Sequence, residues 1–193
     1  RMGNEYLYQM MAQQNIDTLN GYQVKKVVTT CPHCFNTLRN EYPQLGGEFE
    51  VLHYTQFVDE LIKDGRLKPV KPINEEVAYH DSCFLGRHNG IYDQPRNIAR
   101  AIPGLKLVEI EPRCREKGFC CGAGGGHIWI DESQGARINH MRTDQFLSTG
   151  AQTIGVSCPF CLQMMEEGID AKGVSGSKKV RDILELLADS VEA

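Results

Sequence analysis

Residues 151–165 read AQTIGVSCPFCLQMM, and residues 24–38 read VKKVVTTCPHCFNTL. Each stretch is a β-branched run, then a hydroxyl residue, then Cys-Pro-aromatic-Cys, then a helical pattern. A short apolar strand that turns directly into a helix is the βα half of a parallel α/β unit. A loop and an amphipathic helix follow each copy, at 54–63 and 180–191. The chain therefore carries an internal repeat of one α/β unit.

Working outward, Val24–Thr29, Phe49–His53, Val77–His80, Leu105–Ile110 and Thr153–Val156 are the strand candidates. Tyr54, Phe57, Val58, Leu61 and Ile62 recur at helical spacing, and so do Val180, Ile183, Leu184, Leu187 and Val191. Pro95 suits the first turn of a helix running to about Ala101. Leu7, Met10 and Met11 give the opening segment a helical apolar face. Asp131 reads as the N-cap of a long helix over 132–148. Residues 64–75, KDGRLKPVKPIN, read as a linker. Strands alternating with helices predict an α/β fold with mostly parallel strands. The expected organisation is an incomplete first lobe over 1–63, the linker, and a complete second lobe over 76–193. The chain opens on Arg1 inside a helical pattern, so the first lobe reads as truncated, with more of the protein upstream.

The 193 residues include 41% hydrophobic and 24% charged residues and carry a formal net charge of −4. That is an ordinary globular composition with enough apolar content for a core. Its mild acidity gives no electrostatic footprint for nucleic acid. No stretch approaches the ~20 apolar residues of a membrane span, and no signal peptide is visible, so no insertion by this segment and a cytoplasmic location are expected.

Eight cysteines stand at 31, 34, 83, 114, 120, 121, 158 and 161. Disulfide scaffolds are small and core-poor, and this chain is neither, so metal or redox chemistry is favoured. Cys83 is followed by 36 residues, then Cys120-Cys121, then 36 residues, then Cys158 and Cys161. Cys83 and Cys158 each follow a strand, and ligand sites in parallel sheets gather beyond strand carboxyl ends. Five thiolates exceed the four that zinc takes and suit iron and sulfide, which soft thiolates select. The glycines of CGAGGGH, beginning with Gly122, let the backbone pass close to a bulky group and offer it N–H donors. GAGGGH lacks the Lys-Ser/Thr of a phosphate loop.

This cysteine register, with glycine after the double cysteine, resembles the cysteine-rich "CCG" domain of heterodisulfide reductases and related iron–sulfur proteins. RMGNEYL, NEYPQLGG, YHDSCFLGRHN, CCGAGGG and RINHMRT look like the C-terminal part of bacterial membrane-linked iron–sulfur oxidoreductases of the electron-transfer-flavoprotein:quinone type. The resemblance implies two Rossmann-like lobes related by a pseudo-repeat. It implies a [4Fe-4S] cluster, cubane or non-cubane, on Cys83, Cys120, Cys121, Cys158 and Cys161. It also implies a flavoprotein or another iron–sulfur protein as partner, and a full-length protein at the cytoplasmic face of a membrane.

Alternatives stay open beside that reading. The thiols suit a buried structural role or zinc, in an assembly module, or a cluster that reduces disulfides. Cys31 and Cys34 suit a relic, a disulfide, a thioredoxin-like redox pair, or a second site completed elsewhere. Cys114 has no partner in the pattern. His80, Asp81, Arg87, His88 and His127 flank the cysteine loops; of these, His80, Arg87 and His127 are the candidates for tuning a bound group, with ordinary loop hydrogen bonding as the bland reading. Trp129 reads first as packing.

Overall fold

A computed structural model describes residues 3–130 and 135–191. Its strands are β1 (Lys26–Thr29), β2 (Glu50–His53), β3 (Glu76–Tyr79), β4 (Lys106–Glu109), β5 (Thr153–Val156) and β6 (Lys179–Asp182). Its helices are α1 (Glu5–Gly21), α2 (Pro32–Asn36), α3 (Tyr54–Lys63), α4 (Asp93–Ala101), α5 (Ile138–Leu147), α6 (Pro159–Ala171) and α7 (Ile183–Ser190). β1 and β2 form a two-stranded parallel sheet. The other four form a parallel sheet in the order β4-β3-β5-β6.

The strand TIGV, buried along its whole length, sits in the middle of that sheet, as a strand covered on both faces must. Side chains alternate between two cores. Val77 and Tyr79 join Tyr54, Ile98, Ile183 and Leu186, under α3, α4 and α7. Ala78, Ile154 and Val156 join Phe146, Met164 and Met165, under α5 and α6. The chain leaves β3 for the β4 edge and returns to β5 on the opposite side, so the strand order reverses between β3 and β5. Such a switch point opens a crevice at the strand carboxyl ends, and Cys83 and Cys158 follow these two strands.

The repeat is visible in the helix starts. Cys31 precedes Pro32 of α2, and Cys158 precedes Pro159 of α6, each an extended residue before a helix opened by proline. β2 enters α3 through a His53–Gln56 capping box, and β6 enters α7 through an Asp182–Glu185 capping box.

Three expectations need correction. The helix placed over 180–191 begins at Ile183: residues 179–182 form the edge strand β6, in which Val180 pairs with Ile154. The packed face of α1 is Ala12 and Ile16, set against Tyr42, while Leu7, Met10 and Met11 are exposed. The helix placed over 132–148 is Ile138–Leu147, because Gly135 has a φ of 76° and Arg137 is extended. Asp131 lies outside the described residues.

Two consequences for stability follow. A Cβ on Gly168 would lie 2.2 Å from Thr143 Oγ1 and 3.1 Å from the Asn139 carbonyl, where α6 crosses α5. Gly168→Ala is therefore expected to cost about 1–3 kcal/mol by overpacking, read as a lower urea midpoint with unchanged slope.

Asp182 caps α7 by accepting from Leu184 N at 2.9 Å and also accepts the Tyr54 hydroxyl. Burial raises its carboxyl to about 6 from 3.8. Below pH ~4 it is protonated in both folded and unfolded chains, and its full contribution is present. That contribution is lost as pH rises through 6, because the unfolded chain ionises more readily. Asp182→Asn keeps the capping oxygen and removes this dependence. Relative to wild type it should gain roughly 3 kcal/mol between pH 4 and 7 in denaturant titrations.

Candidate metal centre

Three arms bring thiols into the crevice. The turn after β3 carries His80, Asp81, Ser82 and Cys83. The loop after β4 carries Cys120 and Cys121. The start of α6 carries Cys158 and Cys161. Cys161 Sγ lies 3.4 Å from Cys121 Sγ. Cys121 is hydrogen-bonded to Cys120, Cys120 to Cys83, and Cys161 to Cys158. The five residues of the sequence pattern thus form one continuous run of sulfurs.

The run extends further. Cys31 hydrogen-bonds both Cys158 and Cys34, and His33 approaches the Cys31 sulfur at 3.7 Å and also bonds Cys158. The Cys-Pro-aromatic-Cys motifs of the two repeats therefore meet. Seven of the eight cysteines belong to this array; Cys114 instead bonds Glu111, and its thiol is pushed up to about 11, first by burial and then by that acid.

A crowded set of thiols cannot ionise together. Hydrogen bonds from Cys158 and Cys34 hold Cys31 far below the usual thiol range, and those from Cys121 and Cys83 do the same for Cys120. Gly122 N–H adds a contact to Cys120 Sγ at 3.3 Å. The partners shift the other way: Cys120 beside it and burial take Cys121 to about 12, and Cys83 and Cys34 also rise because each donates to a neighbouring thiolate. For His33, burial works against protonation, but the bonds to Cys158 and Cys31 outweigh it and raise the imidazole to about 9.

Gly122 has a φ of 96°, and a Cβ there would meet Ile138 Cβ at 3.1 Å and Asn139 N at 3.3 Å. Only glycine lets the backbone turn against α5 while aiming its N–H at Cys120.

His80, Cys121 and Cys161 are all buried, and their ligating atoms lie within 4.8 Å of one another. Arg142 Nε donates to His80 Nδ1 at 3.0 Å, so the neutral ring carries its proton on Nε2. Burial, then the Arg142 charge, holds this imidazole down at about 3. Its Nε2 and Arg142 Nη2 are buried and have no hydrogen-bond partner among the described residues. Buried donors of that kind require an acceptor. An inorganic core carrying sulfide, held by Cys121 and Cys161, would supply one. A protonated Nε2 is a donor rather than a ligand, and seven thiols exceed the four that zinc takes. The residues present fit an iron–sulfur group better than a lone zinc ion.

A buried ion pair braces the arms. Arg96 meets both oxygens of Asp81 at 2.8 Å and both of Glu109 at 2.7 Å. Asp81 also accepts Arg115 N at 2.7 Å, tying the turn after β3 to the loop that leads to Cys120. Arg87 donates to the Gly118 carbonyl at 2.6 Å, and His88 stacks on Phe84 at 4.4 Å. His127 is exposed in a 3₁₀ segment, Gly124–Trp129. Sequence reasoning missed Arg142, Arg96 and the meeting of Cys31 with Cys158. Only the meeting of the two cysteines had a signal, the paired Cys-Pro-aromatic-Cys motif, which made the repeat but not the contact; the two arginines had none.

Beside the array lies a cavity of about 540 Å³, lined by His33, Phe84, the glycine run, Phe160 and Trp129. Trp129 is 75% exposed and meets Phe160 edge-on at 6.2 Å, so it is a cavity wall rather than core.

Two adjoining sulfur-bearing βα units with a shared crevice define a cysteine-rich redox fold. The CCG cysteine-rich domain family matches at residues 1–39 and 77–166, and the chain belongs to that family. It is 49% identical over 100% of its length to an EtfAB:quinone oxidoreductase of Syntrophomonas wolfei, of which it spans 28%. It is 49% identical to a probable iron-sulfur-binding oxidoreductase, FadF, of Bacillus subtilis, covering 99% of this chain and 27% of the relative. It is 38% identical to a component of the dihydromethanophenazine:CoB–CoM heterodisulfide reductase of Methanosarcina barkeri, covering 94% of this chain and 44% of that component. The chain thus spans less than half the length of these relatives. No helix among the described residues is long and apolar enough to cross a membrane.

Proposed function

We propose that this chain is an iron–sulfur electron-transfer domain of a larger oxidoreductase. Cys83, Cys120, Cys121, Cys158 and Cys161 hold a [4Fe-4S] cluster, and Cys31 and Cys34 contribute to a second site beside it. The carrying observation is the continuous array of seven thiols with two orphaned donors, His80 Nε2 and Arg142 Nη2, buried against it. When bound, such a cluster accepts and releases single electrons. The chain's own residues hold it out of water, offer it N–H donors from His80, Arg142 and the Gly122 backbone, and brace its ligand arms through Arg96. Each donor stabilises the more negatively charged state and so raises the potential. The name of the EtfAB:quinone oxidoreductase relative supports an electron-transfer flavoprotein as donor and a quinone as acceptor for the whole protein; the same reading puts that whole protein at the cytoplasmic face of a membrane. On this reading residues 1–63 form a first cysteine-rich lobe, 64–75 a linker and 76–193 a second, with α3 of the first lobe packed on the sheet of the second.

Anaerobic reconstitution with iron and sulfide, followed by metal analysis, absorption and electron paramagnetic resonance, tests this reading. Bound iron and sulfide with a reversible one-electron signal is expected. A colourless protein holding only zinc would sink it. A second reading, disulfide reduction at the cluster, is favoured by the aromatic cavity beside the thiols and by the heterodisulfide reductase relative. Turnover of an aromatic disulfide, with saturation lost in Phe160→Ala, would distinguish it from simple relay.

A further inference from the structure

The array reaches the surface at another place, which shares no lining residue with the aromatic cavity. A depression of about 650 Å³ is lined by Arg87, Arg113, Glu116, Lys117, Phe119 and Cys120, among others. Arg87, Arg113 and Lys117 are exposed, and among the described residues none of the three is ion-paired. Neighbouring cations are engaged elsewhere: Arg115 pairs with Asp93, and Arg137 with Glu167. Arg87 is held in place by the Gly118 carbonyl, and Arg113 lies over the Phe119 ring at 5.9 Å. Among the described residues, Glu116 is the single carboxylate in the lining. On a chain with a net charge of −4, this is a local reversal of sign rather than background.

The depression also touches the sulfur array. Cys120 lines it and hydrogen-bonds both Cys83 and Cys121. A positively charged mouth over a redox-active sulfur meets the two needs of transient electron transfer: steering by opposite charge and a short path inward. The three cations come from two separate loops, around residue 87 and over 113–117. They suit carboxylates spread over a protein surface.

We propose that this depression docks an acidic one-electron redox protein, whose surface carboxylates pair with Arg87, Arg113 and Lys117 and bring its redox centre against Cys120. One electron then passes from the reduced partner, which is oxidised, to the group held by the cysteines, which is reduced; no bond forms or breaks. The electron's destination rests on the iron–sulfur reading above, whereas the association does not.

The test uses the full-length protein, reconstituted, with a reduced acidic ferredoxin as probe and a basic cytochrome c as opposite-charge control. Association is read by calorimetry and electron transfer by stopped-flow absorption. Acidic-ferredoxin binding should fall at least about tenfold between about 0.02 and 0.5 M salt. Arg113→Glu with Lys117→Glu should lower affinity and second-order rate at least about tenfold at low salt, leave the paramagnetic spectrum unchanged, and improve the response to cytochrome c. Lys71→Glu, on the 64–75 segment, should change neither. Salt-independent binding, or an equal loss from Lys71→Glu, overturns the proposal. Tight competition by inorganic phosphate, lost in the double variant while ferredoxin binding persists, overturns it in favour of a small-anion site. Salt-dependent association without a cluster leaves docking intact and removes the iron–sulfur reading; a loaded cluster without association does the reverse.

Discussion

Arg96→Met is expected to destabilise the protein by about 3–5 kcal/mol, whether or not a metal is bound. Arg96 has no solvent exposure and meets Asp81, 6% exposed, through two parallel hydrogen bonds. Its remaining donors go to Glu109 and to the Tyr92 carbonyl at 2.7 Å, and its guanidinium lies 4.9 Å from the centre of the Tyr79 ring. Methionine fills much of the volume but answers none of these acceptors. Glu109, at the rim, can turn to water. Asp81 cannot, and a buried carboxylate left with one backbone donor is costly. For a chain of this size the change corresponds to a melting temperature lower by roughly 6–20 °C. The double variant Arg96→Met/Asp81→Asn should recover part of the loss, because it removes the stranded charge. A shift below about 1 kcal/mol, or no recovery in the double variant, would show that the pair does not brace the turn leading to Cys83.

The same pair shows why the sequence told some things and not others. TIGV and its Cys-Pro-aromatic-Cys sequel were legible because strand, turn and helix are all written locally: β-branched residues, then proline at the first helical position. The repeat was legible for the same reason, and so was the convergence of Cys83 and Cys158, since each follows a strand. Val180 was misread because it sits at helical spacing from Ile183 and Leu184. Only sheet pairing with Ile154 distinguishes an edge strand of four residues from a helix's first turn. Leu7, Met10 and Met11 were misread because an apolar face predicts a partner without saying which side finds one; Ala12 and Ile16 meet Tyr42 instead.

Long-range polar contacts left no local trace. An arginine on a helix reads as a solvated charge, yet Arg142 is buried with its Nε on His80, 62 residues earlier in the chain. Cys31 and Cys158 each look like half of a self-contained chelate; their meeting depends on how the two-stranded sheet sits against the larger one. That meeting changes what the pattern means. Five cysteines in register suit one bound group; seven brought together suit the proposed group with a second site beside it, as an electron relay would use.

Cys121→Ser is the substitution expected to affect that relay most. Cys121 stands in the middle of the array, bonded to Cys161 on one side and Cys120 on the other, and faces His80. Serine keeps the size and offers an oxygen in place of sulfur, but a hard alkoxide is a poor substitute for the soft thiolate that iron–sulfur centres select. Cys121 is also 3% exposed, so no water replaces the missing ligand easily. After anaerobic reconstitution the variant should bind less than about half the wild-type iron and should lose or alter the paramagnetic signal. Its fold should survive, since burying one hydroxyl costs about 1–3 kcal/mol and the Arg96 brace is untouched. Cys114→Ser is the matched control, removing a thiol that bonds Glu111 instead of the array, and its iron content and spectrum should equal wild type. An unchanged signal in Cys121→Ser would remove that residue from the ligand set. An equal loss in both variants would show that the signal reports general damage rather than ligation, because the two thiols share no contact through which one could stand in for the other.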